Sequence, residues 1–198
     1  MVVVLAAGAS VRLGEAKQMV HIGGEPLLRR TCRRALAADV GPVAVVLGGD
    51  AVRHRRLIDD LPVHVAVNDE WQEGIAASLR HAVGIAAARD AASLIVLCDQ
   101  YRVTSRDIRR LHRSWRREPS RPCVSISAGY AGPPAIFPLD MYDAIRGLRG
   151  DIGARALLDR GTQPPVAIAN PRAAYDLDSQ DDLRRALSAR RGASTMAR

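Results

Sequence analysis

Gly8, Ser10, Arg12, Gly14 and Lys17 follow directly on a short apolar run, Val2-Val3-Val4-Leu5-Ala6-Ala7. Their chemistry is that of an anion cradle. Small residues let a backbone approach a ligand closely, so that main-chain N–H groups and two cations can converge on phosphate oxygens. The spacing is not that of a Walker A loop: five residues separate Gly8 from Gly14, and Glu15 stands where Lys is needed. It is not the dinucleotide G-x-G-x-x-G either. A glycine-rich turn with solvated charges is the other reading that the spacing leaves open.

Acidic groups recur further along. Asp99 closes the apolar run Ser93-Leu94-Ile95-Val96-Leu97-Cys98. A carboxylate at the carboxyl tip of a buried strand suits a Mg²⁺ ligand, because hard cations take carboxylate and phosphate oxygens together. Asp99 could instead cap the next helix, over 106–115, but Thr104 or Ser105 is better placed for that. In Gly150-Asp151-Ile152-Gly153-Ala154-Arg155 a helix start with an Arg beside it reads as an anion site, and equally as a helix capped by Asp151. The late stretch Asp176-Leu177-Asp178-Ser179-Gln180-Asp181-Asp182-Leu183 ends in two acids that favour a helix N-terminus.

The elements that must position these groups alternate regularly. Residues 2–7 form a β-branched run of the kind found in buried parallel strands. Gly23-Gly24-Glu25-Pro26 is a turn, and Leu28, Cys32 and Leu36 at i, i+4 and i+8 make the next stretch an amphipathic helix. A strand over Val43–Leu47, a helix over 51–58, a strand over 63–67, a long helix over 74–88 and a strand over 93–98 follow. Short turns between such units argue for a parallel sheet with right-handed crossovers, and ligands in these sheets lie beyond the carboxyl ends of the strands. A strand over 122–127, a Gly/Pro-rich loop over 129–137 entering an extended run, a helix over 139–148 and a short strand over 165–169 complete the pattern. Asn68, Trp71, Gly74 and Ser78 open the long helix, where Trp71 also reads as a hydrophobic anchor.

Leu5-Ala-Ala-Gly-x-Ser-x-Arg-x-Gly-x-x-Lys17 resembles the opening signature of the molybdenum-cofactor cytidylyltransferase type of nucleotidyltransferase, a MobA-like NTP transferase domain. Four further segments, down to about residue 187, are similar to the same family. The resemblance implies a Rossmann-like three-layer α/β/α sandwich with a mostly parallel sheet, of the nucleotide-diphospho-sugar transferase type. It implies that the loop of Leu5, Ala6, Ala7, Gly8, Ser10 and Gly14 wraps the triphosphate, with Arg12 and Lys17 neutralising its charge. Asn68, Gly74 and Ser78 would help hold base and ribose, and Asp99 and Asp178 would bind the metal, Mg²⁺. Gly132, Pro134, Asp151 and Arg155 would line the acceptor side. The chain departs from the family at Tyr101, where the family has Pro after Asp-Gln, and at Pro133, where it has His. Ser179 and Gln180 replace Thr and Pro.

Composition bounds the rest. A chain of 198 residues is one ordinary domain, long enough to bury about 70% of its unfolded-chain surface. No internal repeat or linker divides it, so residues 1–190 are expected to be one nucleotidyltransferase domain and 191–198 a disordered tail. The net charge of +8 comes largely from scattered arginine without interleaved aromatics, which fits an anionic substrate or a solvated surface better than nucleic acid. Cys32, Cys98 and Cys123 form no C-x-x-C pair and are expected as reduced core residues. With no apolar run of about 20 residues and no basic leader, neither a membrane span nor a signal peptide is expected, and the location expected is cytoplasmic.

The expected reaction is transfer of a nucleoside monophosphate to the phosphate of molybdopterin or its molybdenum-loaded form, with release of pyrophosphate. An acceptor phosphate is already an anion and needs no general base, and the sequence holds no His or Cys nucleophile constellation. The family's cytidylyl members read Leu-Ala-Ala-Gly and its guanylyl members Leu-Ala-Gly-Gly, so Ala7 points to CTP rather than GTP. Two alternatives stand: an enzyme for a sugar or polyol phosphate, and a nucleotide-binding chaperone for a molybdoenzyme client that has drifted from catalysis.

Overall fold

The computed structural model describes residues 1–8, 10, 13–158 and 164–188. Strand β1 (Val2–Ala6) is buried along its whole length at the centre of a seven-stranded sheet. It pairs in parallel with β4 (Val43–Leu47) on one side and β6 (Ser93–Leu97) on the other. Beyond β4 lies β5 (His64–Val67), also parallel. The other half runs from β6 through β8 (Tyr130–Phe137) and β7 (Cys123–Ser127) to β9 (Val166–Ala169). Strand β8 alone runs against its neighbours, since it pairs antiparallel with both β6 and β7 while β7 pairs parallel with β9. A two-stranded hairpin, β2 (His21–Ile22) and β3 (Glu25–Pro26), stands apart.

Side chains alternate across the sheet, and each face has its own core. Val2, Val4 and Ala6 join one core with α1 (Leu27–Ala38), α4 (Ser105–Trp115) and α7 (Gln180–Ser188). The short α2 (Ala51–Arg55) leads into Leu57 and Ile58, which also belong there. Val3 and Leu5 join the other core with α3 (Ile75–Ala87), α5 (Tyr142–Arg146) and α6 (Arg155–Leu158). The expected three-layer α/β/α sandwich is therefore present. Helix α4 begins at a capping box in which Thr104 and Asp107 satisfy each other's backbone N–H, as its sequence suggests. All three cysteines are buried and free of disulfides. Among the described residues no helix is long and apolar enough to cross a membrane. Residues 189–198, which include the expected tail, lie outside the described set.

Two expectations need correction. The stretch 129–137 is not a loop that enters a strand but a strand almost from its start, turned back on β7 through Ala128 and Gly129, both with positive φ. That is a two-residue hairpin turn matched to strand twist. The prolines misdirect the reading: the register steps from Val124↔Ala135 to Ser125↔Gly132, so Pro133 and Pro134 fall in a bulge where no ladder N–H is needed. The stretch 139–148 is also less regular than its pattern, with a 3₁₀ turn (Leu139–Met141) before the five residues of α5.

Two glycines fix how the layers meet. A Cβ on Gly48 would lie 2.4 Å from the Ala7 carbonyl oxygen and 2.8 Å from the Trp71 Cβ, so only glycine lets β4 end against the loop that leaves β1. Trp71 is the anchor its sequence suggests, its indole lying against Gly49. Gly74 has φ +119°, and its Cβ would sit 2.4 Å from Asp151 Oδ1 and 2.6 Å from the Gly150 carbonyl. This close approach lets the Ala76 N–H at the start of α3 donate to that carbonyl, at 3.1 Å.

Gly74→Ala should therefore combine backbone strain with loss of the Gly150 contact, costing about 2 kcal/mol or more and lowering Tm by roughly 4–8 °C. Gly84→Ala, on the exposed side of α3 with open space around its Cβ, should do the reverse and raise stability by about 0.5–1 kcal/mol. Thermal melts of the two variants beside the parent check both signs.

Candidate functional site

The first functional loop leaves the carboxyl end of β1 and is braced from inside. Gln18, almost fully buried, donates through Nε2 to the carbonyls of Ala6 (2.8 Å) and Gly8 (3.0 Å). Ser10 Oγ accepts the backbone N–H of Lys17 at 3.0 Å, closing the loop, and Leu13 is sunk in the core. Gly14 turns with φ +79°. These contacts set Lys17 on a one-turn 3₁₀ helix (Lys17–Met19) facing back across the end of the sheet. Arg12 lies outside the described residues, with Ala9 and Val11.

The carboxylates arrive from the other side. Asp99 follows β6, and the segment 176–178 docks on that tip. The Leu177 N–H donates to the Asp99 carbonyl at 3.0 Å, and Gln100 forms an antiparallel bridge with Asp176. Gln100 is buried, and its Nε2 reaches the carbonyls of Ala173 (2.9 Å) and Pro133 (3.1 Å), tying three segments together. Asp178 is held in turn by Asp182, which accepts the N–H groups of Asp178 (3.2 Å) and Ser179 (2.8 Å) and bonds the Ser179 hydroxyl. The Ser179 hydroxyl first, with these N–H groups, holds the Asp182 carboxyl down at about 2.

Asp99 and Asp178 thus face one point, and Lys17 occupies it. Its Nζ lies 2.9 Å from Asp99 Oδ2 and 2.6 Å from Asp178 Oδ1. Burial works against the ammonium, but the two carboxylates outweigh it and hold the Lys17 pKa above the ordinary lysine value. Asp99 Oδ1 is buried and has no hydrogen-bond partner among the described residues. A buried carboxylate oxygen without a donor, beside a second carboxylate and a bound cation, fits a divalent metal. No group of three or more His, Cys, Asp or Glu that could hold a metal occurs among the described residues. The protein would supply two carboxylates, and the remaining ligands would be phosphate and water oxygens. Asp176 adds to the negative field: burial, then the charges of Asp99 and Asp178, push its carboxyl up to about 6, although the residue keeps an exposed edge.

Leu5, Ala6, Ala7, Gly8 and Ser78 line a cavity of about 130 Å³ with Lys17 and Asp99, so this part of the expected nucleotide set does converge. Asn68 has no exposed surface. Its Nδ2 donates to Ser78 Oγ at 3.2 Å and its Oδ1 accepts the Glu70 N–H, so it shapes the turn into α3, and Ser78 is the member of the pair that lines the cavity. Ser10, through its Oγ bond to the Lys17 N–H, and Gly14 and Gly74, through backbone geometry, shape the loop and the start of α3 without lining that cavity. Of the residues expected on the acceptor side, Gly132 and Arg155 line a second cavity of about 250 Å³. Pro134 is buried behind it, with Pro133 on the wall instead, and Asp151 packs at Gly74 outside it. Helix α6 is described over Arg155–Leu158, and the Arg155 side chain is the cation among the described residues there. It stacks over Tyr130, 5.0 Å from the ring centre.

Gln18, Gln100 and Asp176 escaped the sequence reading as site residues. Asp176 had a visible signal, its place two before Asp178 in an acidic stretch, whereas the glutamines are ordinary until the carbonyls they reach are known. Two departures from the family pattern, Tyr101 and Gln180, are absorbed locally. Tyr101 turns into the core, edge-on to Tyr175, whose ring stacks on the Arg102 guanidinium at 3.8 Å. Gln180 donates to the Leu13 carbonyl, joining the start of α7 to the loop after β1.

The fold is similar to that of Rv0371c from Mycobacterium tuberculosis H37Rv, with 30% identity over 94% of this chain and 96% of that one, at a TM-score of 0.80. A complex of the same mycobacterial protein with manganese superposes at 0.78, with 27% identity over 94% and 97%. Molybdopterin-guanine dinucleotide biosynthesis protein A from Archaeoglobus fulgidus shares the fold alone, at 16% identity and a TM-score of 0.70 over 93% and 95% of the chains. No curated protein matches the sequence. The family model described as the MobA-like NTP transferase domain matches residues 2–166. The chain is a member of that family, a nucleotidyltransferase domain with the fold of the nucleotide-diphospho-sugar transferases.

Proposed function

We propose that this chain transfers CMP from CTP to the phosphate of a molybdopterin-type acceptor and releases pyrophosphate. The observation that carries the reading is the convergence of Lys17, Asp99 and Asp178 on one point beside the loop of Ala7 and Gly8. An acceptor phosphate oxygen attacks the α-phosphorus, the bond from that phosphorus to the bridging oxygen breaks, and pyrophosphate leaves with the electron pair. No proton has to be removed from the nucleophile, so positioning and charge neutralisation suffice. Lys17 shares the smaller cavity with Gly8 and, with Arg12, would neutralise charge on the triphosphate. Asp99 and Asp178 would hold a divalent cation, Mg²⁺, which neutralises charge on phosphate oxygens. Ala7 supplies a methyl in the cavity where guanylyl members have only hydrogen, which favours the smaller base. The reaction belongs in the cytoplasm, with a molybdoenzyme as the client of the product. Incubating the protein with Mg²⁺, each NTP and molybdopterin, and measuring pyrophosphate, tests the whole reading; no release with any NTP would sink it.

Lys17→Ala should lower turnover at least ~100-fold, the usual effect of losing one preorganised electrostatic contact. Since Lys17 also separates two carboxylates, the variant should melt lower than the parent in chelator and regain part of the difference when Mn²⁺ is added. Asp99→Asn and Asp178→Asn should each weaken Mn²⁺ binding, with strong non-additivity in the double variant, measured by titration calorimetry. Additive losses would mean separate tasks. Ala7→Gly should shift kcat/KM toward GTP by roughly 10-fold or more, because one methyl of steric difference is worth about 1–3 kcal/mol. An unchanged CTP-to-GTP ratio would place base choice elsewhere.

A further inference from the structure

Lys17 is the only lysine of the chain, and every other strongly basic side chain is an arginine. The exception stands where two carboxylates from distant segments meet: Nζ lies 2.9 Å from Asp99 Oδ2 and 2.6 Å from Asp178 Oδ1. A guanidinium holds carboxylates in a rigid fork, whereas an ammonium is a compact point charge on a flexible stem. Lys17 cannot stay there and also serve the reading above. A divalent cation held by both carboxylates needs the place that the ammonium fills, and two cations crowded among the same oxygens repel. The backbone of Lys17 is tied down, since its N–H donates to Ser10 Oγ at 3.0 Å and its carbonyl accepts from Val20 at 3.2 Å. The side chain is left to move. Lys17, Gly8 and Asp99 line one cavity of about 130 Å³, so the ammonium can pass from the carboxylates toward the loop without a shift of main chain.

We propose that Lys17 works in two positions: in the nucleotide-free chain its ammonium closes the divalent-cation site, and a nucleoside triphosphate draws the ammonium onto phosphate oxygens and so opens that site. The proposal rests on the nucleotidyl-transfer reading and adds to it the order of loading. To admit a metal ion, the nucleotide-free chain has to give up two charge-assisted hydrogen bonds and leave a partly buried ammonium beside the new charge. It is therefore a poor metal binder. A bound triphosphate removes both penalties, because its oxygens accept from the ammonium and are also ligands for a hard cation. Metal and nucleotide bind with positive coupling, and by linkage each strengthens the other by the same factor.

Because lysine occurs once, isotope-labelled lysine gives a single side-chain reporter in NMR spectra of the full chain. Mg²⁺ alone, at the concentration that accompanies CTP, should leave the Lys17 Cε signal nearly in place, and Mg²⁺ with CTP should move it. The second measurement is a calorimetric Mn²⁺ titration of the nucleotide-free protein. Lys17→Ala and Lys17→Met should each bind Mn²⁺ at least ~10-fold more tightly than the parent, since no ammonium has to leave. Lys17→Arg, which keeps a cation at the carboxylates, should bind it no more tightly than the parent. Thermal melts show which variants are folded, and one folded neutral variant suffices. Equal or weaker Mn²⁺ binding by a folded neutral variant, a signal that Mg²⁺ alone moves as far as Mg²⁺ with CTP, or a signal that stays put while CTP binds would each overturn the proposal. CTP binding itself is read by calorimetry with Mg²⁺. Its absence sinks the nucleotidyl-transfer reading, and the Mn²⁺ comparison then decides by itself whether Lys17 closes the site.

Discussion

One backbone hydrogen bond, from the Leu177 N–H to the Asp99 carbonyl, together with the bridge of Gln100 to Asp176, brings the two carboxylates that meet Lys17 to one place. Asp99 and Asp178 are far apart in sequence, and nothing in β6 or α7 alone would bring them together. The docking draws two like charges toward one another, which costs free energy that Lys17 offsets. With side-chain exposures of 17%, 24% and 35% for Lys17, Asp99 and Asp178, solvent screens the three only in part. Such a partly buried triad is weak evidence for stability, because desolvation cancels much of the Coulombic gain. Its effect is geometric: the ammonium keeps two carboxylates aimed at one point.

The sequence made the parallel half of the molecule legible because burial there is two-sided. Val2–Ala6, Val43–Leu47 and Ser93–Leu97 are continuous apolar runs, and only a strand covered on both faces reads that way. The loop after β1 and the acid after β6 were legible for the same reason, since an abrupt stop of such a run marks a carboxyl edge. Where the reading went astray, a local rule was overridden by a partner distant in sequence. Proline argues against a strand, yet Pro133 and Pro134 sit in one because a bulge releases β8 from the ladder at that step. The amide of Asn68, which the family resemblance implies near base and ribose, bonds Ser78 and Glu70, contacts that sequence spacing alone does not reveal.

The departures from the family pattern follow the same logic. Tyr101 replaces a residue that stiffens a turn, and it restores order through packing, by burying its ring beside Tyr175 and Arg102. Gln180 likewise restores a tether, through a side-chain bond to the Leu13 carbonyl rather than a restricted φ. Both compensations act on the segments flanking Asp99 and Asp178, so they preserve the aim of the carboxylates while changing the means. Pro133 has no such compensation for a missing imidazole, and its effect is on the character of the cavity.

That cavity exists because of the direction of β8. A parallel strand in this place would bring its carboxyl end to the active edge, whereas antiparallel β8 brings its beginning, Tyr130 to Pro134. The β6–β8 ladder runs from Ser93↔Phe137 to Ile95↔Ala135 and stops there, although β6 continues to Leu97. At the next step Pro134 and Pro133 have no N–H to give, so β8 diverges from β6 and bulges from β7 at once. The opening this leaves is walled by what would otherwise have been sheet core: Leu97, Val124 and Ala135. Its apolar character is therefore inherited from the sheet interior, and among the described residues Arg155 is the charged group that lines it. A site made by parting a sheet selects differently from one built of loops, because its walls carry core side chains and offer few hydrogen bonds.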